Sequence, residues 1–157
     1  MAKTVGLILA ICFLSLAHAH AHDVFNVEGD VYCDPCRVQF VTELSKKLPG
    51  ATVRVECTDL VTKAVTYSAE GITGPDGHYS LEVTGDHEND NCEVSVVKSP
   101  SGDCSEPMGE LEKSRIECTT NSGIHAAVRY ANPIGFMTKA ADPHCAPVLF
   151  NMGVDFN

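Results

Sequence analysis

Apolar and polar positions alternate along most of this chain, and turn residues punctuate the alternation. Phe25, Val27, Gly29 and Val31 share one face of a strand predicted over Val24 to Tyr32. After Leu48-Pro49-Gly50, the pattern resumes with Ala51, Val53, Val55 and Cys57 on one side. Val61 to Glu70 is a further candidate. Thr73-Gly74-Pro75-Asp76-Gly77 predicts a turn, and His78 to Val83 and Cys92 to Val97 alternate again before the Ser99 to Asp103 break. Ser114 to Cys118 precedes the Asn121-Ser122-Gly123 turn, and Ile124 to Tyr130 offers another strand. Asn132-Pro133 and Asp142-Pro143 mark loops in an extended C-terminal segment. Val38 to Leu48 stays ambiguous, because Val38, Val41, Leu44 and Leu48 also fit a helical stripe. Short strands at this spacing, with no recurring long helical pattern, predict one all-β domain, an antiparallel sandwich or barrel.

The first residues carry a different pattern. Lys3 precedes an apolar run from Val5 to Leu16, and small-residue sites follow at Ala17-His18-Ala19 and Ala19-His20-Ala21. Met1 to Ala21 therefore reads as a secretory signal, with cleavage after Ala19 or Ala21, and residues 22–157 as the domain. The run is too short to span a membrane, and no later stretch approaches the required length. The expectation is a soluble, secreted, extracellular protein.

Losing Lys3 with the signal takes the formal charge from −10 to −11, against 21 acids. Such a balance argues against nucleic acid or an anionic membrane as partner. It also leaves seven of the eight cysteines, because Cys12 departs: Cys33, Cys36, Cys57, Cys92, Cys104, Cys118 and Cys145. In an exported chain these predict a disulfide framework with one thiol left over, and spacing alone does not choose among the pairings.

Cys33-Asp34-Pro35-Cys36 sits in a longer motif, Glu28-Gly29-Asp30-Val31-Tyr32-Cys33-Asp34-Pro35-Cys36-Arg37. This segment resembles the signature of the Ole e I family, the secreted plant proteins named for the major olive pollen allergen. The resemblance continues in Phe40 to Ser45, in Pro49-Gly50-Ala51 leading to Cys57, and in Gly77-His78-Tyr79-Ser80. Asp86-His87-Glu88 leading to Cys92, Lys98-Ser99-Pro100 leading to Cys104, and Ala131 to Phe136 leading to Cys145 extend it over nearly the whole mature chain. It implies a Greek-key-like β-barrel or sandwich with disulfides Cys33–Cys104, Cys36–Cys145 and Cys57–Cys92. It further implies a non-enzymatic pollen protein acting in hydration, germination or tube growth. A receptor kinase ectodomain is an implied partner, and IgE is another if the protein is allergenic. The chain departs from the family pattern in two respects. Cys118 is an extra cysteine, read as a buried free thiol on the face of Ile116, and no Asn-x-Ser/Thr acceptor for an N-glycan is present.

Other chemistry finds little support. There is no Gly-x-Ser-x-Gly, His-Glu-x-x-His or phosphate-binding glycine loop, and no catalytic residue is nominated. A thiol-disulfide enzyme using Cys33 and Cys36 is an alternative, but such pairs open a helix after a buried parallel strand. Zinc lacks a second ligand pair. The polar run Asp86 to Asn91 lacks the spacing of a calcium loop and reads as a hairpin loop. Cleavage after Ala19 would expose His20-Ala21-His22, a copper(II)-binding pattern that competes with a plain solvated terminus. A cell-wall or polysaccharide-associated module would want exposed aromatics, and the chain has no Trp. The expectation is therefore a domain without metal or cofactor.

Overall fold

The computed structural model describes residues 23–154, so the signal read over Met1 to Ala21 and the His20-Ala21-His22 terminus lie outside the described residues. Ten strands follow one another: β1 (Val24–Asp34), β2 (Lys46–Lys47), β3 (Thr52–Asp59), β4 (Val65–Ile72), β5 (His78–Thr84), β6 (Asp90–Lys98), β7 (Cys104–Pro107), β8 (Lys113–Ile116), β9 (Val128–Tyr130) and β10 (Ile134–Thr138). Among the described residues one short α-helix, α1 (Cys145–Asn151), comes last.

The strands form two sheets. The first runs β2-β1-β10-β7, with β5 and β9 also paired to β1; the second runs β4-β3-β6-β8. The long strand β1 changes neighbours halfway. Val24 to Asp30 pair with β5, whereas Tyr32 and Cys33 pair with β2 and Val31 to Asp34 with β10. β6 returns to lie beside β3 after β4 and β5 have been laid down, which is a Greek-key crossover. No ladder joins β4 to β5. A single bond bridges them, donated by the Tyr67 hydroxyl to the Glu82 carbonyl at 2.9 Å. The two sheets thus stay open on that side, and the architecture is a sandwich rather than a closed barrel.

The alternation in the sequence sets what lies between the sheets. Val53, Val55 and Cys57 of one face of β3, with Ala51 just before it, and Phe25, Val27 and Val31 of β1 are buried together with Leu81, Val83 and Val94. Gly29 completes the β1 face without a side chain because Tyr79, its cross-strand partner, lies over it. A Cβ there would come within 2.5 Å of the Tyr79 hydroxyl. Gly77 closes the predicted turn at φ 74°, and a Cβ would meet the Leu48 nitrogen and the Val31 carbonyl at 2.9 Å.

Three segments differ from the sequence reading. Pairing is not wholly antiparallel, since β10 and β9 both run parallel to β1. The ambiguous Val38 to Leu48 stretch is neither helix nor a full strand. Arg37 and Gln39 adopt φ of 60° and 63°, which ends any right-handed helical run, and only Lys46–Lys47 pair. Its apolar residues divide between two cores: Val38 and Leu44 pack on Cys36, Cys145 and Leu149, while Leu48 joins the main core. The C-terminal segment read as extended contains α1. Pro147 is tolerated there because it sits in the first turn, where backbone N–H groups have no intrahelical acceptor.

Candidate functional site

The two cysteines of the Cys33-Asp34-Pro35-Cys36 turn are bonded to different, distant partners. Cys33 is joined to Cys104 on β7 and Cys36 to Cys145 at the start of α1, with Cα separations of 6.0 and 5.4 Å. Cys57 and Cys92 face each other across β3 and β6 and form the third bridge. Asp34 explains the turn between the first two. Its carboxylate is fully buried and accepts the backbone N–H groups of Cys36 (2.8 Å), Arg37 (2.9 Å) and Gln39 (2.7 Å). These bonds hold Arg37 and Gln39 in their left-handed conformation, and the Arg37 guanidinium reaches over to donate to the Thr138 carbonyl. A redox dithiol needs its two sulfurs to bond each other at the start of a helix. Here no helix begins at Cys33, and the acid between the cysteines is a structural acceptor.

Cys118 is buried beyond the end of β8, in the main core with Ile116. Burial pushes its thiol up to about 11, only partly opposed by the nearby Arg129 guanidinium. Arg129 itself left little trace in the sequence. Its one signal is a lone cation in the apolar run Ala126 to Tyr130. The side chain is buried, its guanidinium 4.7 Å from the Phe25 ring centroid. It donates to the carbonyls of Glu117 (2.8 Å), Thr119 (3.1 Å) and Ile124 (3.2 Å), and to that of Ala126. One guanidinium therefore supplies the donors that a ladder would have given residues 117–127, where the predicted strand is reduced to Val128–Tyr130.

The polar run after β5 is a loop built around a buried pair. The His87 Nδ1 lies 2.7 Å from Asp90 Oδ2, which also accepts from the Thr66 hydroxyl at 2.6 Å, and the His87 ring meets Tyr67 edge-on. Among the described residues, Cys57, His87 and Cys92 are the one group of three potential metal ligands, their donor atoms all within 4.8 Å of one another. Because the two sulfurs are bonded to each other, they offer no thiolates, and the imidazole packs against the bridge. The Asp90 carboxylate is engaged by His87 and Thr66. The same loop is tied to its neighbours: Leu60 N–H donates to the Asn89 carbonyl (3.0 Å), His87 N–H to the Cys118 carbonyl (2.9 Å), and Asn121 to Glu88.

At the opposite end of β1, Asp30 faces Lys47 (2.6 Å) and His78 (3.2 Å). The Lys47 hydrogen bond holds the Asp30 carboxyl below its ordinary value; partial burial opposes this and His78 adds to it.

These features define a disulfide-stapled β-sandwich in which six cysteines, Asp34 and Arg129 hold the frame. The family model described as "Pollen protein Ole e 1 like" matches residues 23–153, and the chain belongs to that family. It is 54% identical to the anther-specific protein LAT52 of Solanum lycopersicum, over 98% of this chain and 97% of that protein. It is 46% identical to the Olee1-like protein of Betula pendula, covering 93% and 90% of the two chains. The pollen allergen Che a 1 of Chenopodium album is 41% identical, covering 95% and 94%. The crystal structure of the major plantain pollen allergen Pla l 1 superposes with a TM-score of 0.70 at 38% identity, covering 78% of this chain and 99% of that one. Among the described residues no helix is long and apolar enough to cross a membrane.

Proposed function

We propose that the protein is exported by pollen and acts outside the cell as a non-enzymatic binding domain in hydration, germination or tube growth. The observation that carries this reading is its 54% identity, over nearly the full length, to an anther-specific protein. A frame closed by three disulfides supports export, since such bridges persist in oxidising compartments. The engagement of Asp34, His87, Asp90 and Arg129 in internal bonds supports action through the surface. A receptor kinase ectodomain is the proposed partner. Relatives named as pollen allergens support IgE binding as an incidental property of a stable exposed fold.

Germinating pollen provides the test. The expected result is mature protein in the medium, beginning just after Ala19 or Ala21, and slower hydration or shorter tubes in pollen lacking it. Protein retained inside the grain, or wild-type growth in its absence, would contradict the reading. For the incidental property, sera from pollen-sensitised people should contain IgE that binds the folded protein; uniform absence of binding would contradict it.

A further inference from the structure

The hairpin joining β3 to β4 displays large aliphatic side chains on a rigid tip. Leu60 is 50% exposed, Val61 88% and Val65 56%. Such residues on a mobile loop would mean little, but this tip is fixed from within. The Asp59 carboxylate accepts the N–H groups of Val61 (2.9 Å) and Thr62 (2.6 Å) and the Thr62 hydroxyl (2.9 Å). Backbone bonds from Lys63 to Asp59 and from Asp59 to Ala64 close the turn, and Leu60 is tied to the neighbouring loop through Asn89. The aliphatic groups are thus held in water by a preorganised scaffold, the arrangement that lowers the ordering cost of binding.

The rim of the tip is acidic. Asp59 sits beneath it, and exposed Asp86 and Glu88 stand on the loop to which Leu60 is bonded, against the single cation Lys63 within the hairpin. A second copy of this chain would bring acid against acid, in a molecule whose formal charge is already −10. An anionic lipid surface is disfavoured for the same reason. We propose that the β3–β4 tip docks into a protein partner that presents an apolar socket ringed by lysine and arginine. This rests on the reading that the protein acts by binding other proteins outside the cell, and it names the surface and the chemistry of that contact.

The experiment measures saturable binding of fluorescently labelled protein to the surface of germinated pollen tubes, with melting temperatures to verify folding. Val61→Glu should weaken binding at least tenfold. The double variant Asp86→Lys, Glu88→Lys should weaken it and flatten its dependence on salt. Phe150→Ser, an exposed aromatic on α1 at the far end of β1, should bind as wild type. Trypsin treatment of the tubes beforehand should abolish binding. Saturable wild-type binding that both tip variants retain would overturn the proposed surface while leaving protein binding intact. No saturable binding by the wild type would overturn both readings. Binding to protein-free phosphatidylcholine vesicles, or a wild-type dimer in sedimentation, lost in either case with Val61→Glu, would overturn the proposal in favour of lipid or self-association.

Discussion

The two ends of β1 are held by different means. Where β1 finishes, Cys33 and Cys36 tie it covalently to β7 and α1, and Asp34 gathers three backbone N–H groups between them. Where β1 begins, the loops are held by side chains: Arg129 donates to the carbonyls of residues 117–126, His87 pairs with the Asp90 carboxylate, and Asp59 accepts from the N–H groups of its own hairpin. The finishing end is tied to a small satellite core of Cys36, Cys145 and Leu149 with Val38, Leu44 and Val154. The beginning end is continuous with the main core through Phe25, Cys57, Cys92 and Cys118. Covalent ties can fasten a peripheral segment that buries little, whereas buried clasps such as Arg129 and the His87–Asp90 pair gain strength from the packed core beside them.

Removing bridges should break this comparison most. Cys57→Ala with Cys92→Ala opens a 35-residue separation and leaves a gap in the main core, so its loss should cost about 4 kcal/mol and lower the urea midpoint of the whole domain. Cys36→Ala with Cys145→Ala spans 109 residues and has a somewhat larger chain-entropy value of about 5 kcal/mol. Its local signature should differ: hydrogen exchange should rise most in residues 35–45 and in α1, with the sheets losing only the protection that the fall in global stability removes. Equal loss of protection in both sheets would show that the satellite is not separable.

Arg129→Met should come next. Met fills much of the same volume but leaves at least four carbonyls without their donor, and a loss of about 2–3 kcal/mol is expected. Faster exchange confined to residues 117–127 would accompany it. A variant as stable as wild type would show that the loop holds itself.

Asp30 should give the smallest effect, because its pair with Lys47 is largely exposed and worth less than about 1 kcal/mol. Its carboxyl is held below the ordinary value in the folded state. The contribution is therefore present above the unfolded value near pH 4, and is lost as pH falls through the lower folded value. Lys47→Ala should lower stability at neutral pH by less than about 1 kcal/mol, leave it unchanged below the folded value, and so flatten the acid limb of a stability-against-pH curve. An unaltered acid limb would contradict the pairing.

What the sequence made legible follows the same division. Alternation marks strands wherever one face is buried, so β1, β3, β5 and β6 were readable from Phe25, Val27, Val53, Val55, Leu81 and Val94 alone. Pairing direction was not, because the parallel contact of β10 with β1 joins segments a hundred residues apart and leaves no local mark. Val38, Val41, Leu44 and Leu48 imitate a helix since the periodicity cannot tell one core from two, nor that Val41 faces solvent. Arg129 and His87 escaped because bonds to backbone carbonyls or to a nearby acid have no characteristic spacing. The apolar tip is half visible: the pattern puts Val61 in a strand, whereas it stands in the turn that Asp59 caps.

The most direct measurement is intact mass and thiol count of the secreted protein, followed by peptide mapping without reduction. The account predicts bridges Cys33–Cys104, Cys36–Cys145 and Cys57–Cys92, with one thiol at Cys118. With that thiol pushed up to about 11 and buried, Cys118 should resist alkylation at pH 8 until the protein is unfolded. A Cys33–Cys36 bridge, or a pair there that cycles readily between dithiol and disulfide, would contradict the structural role of the motif and restore a redox function.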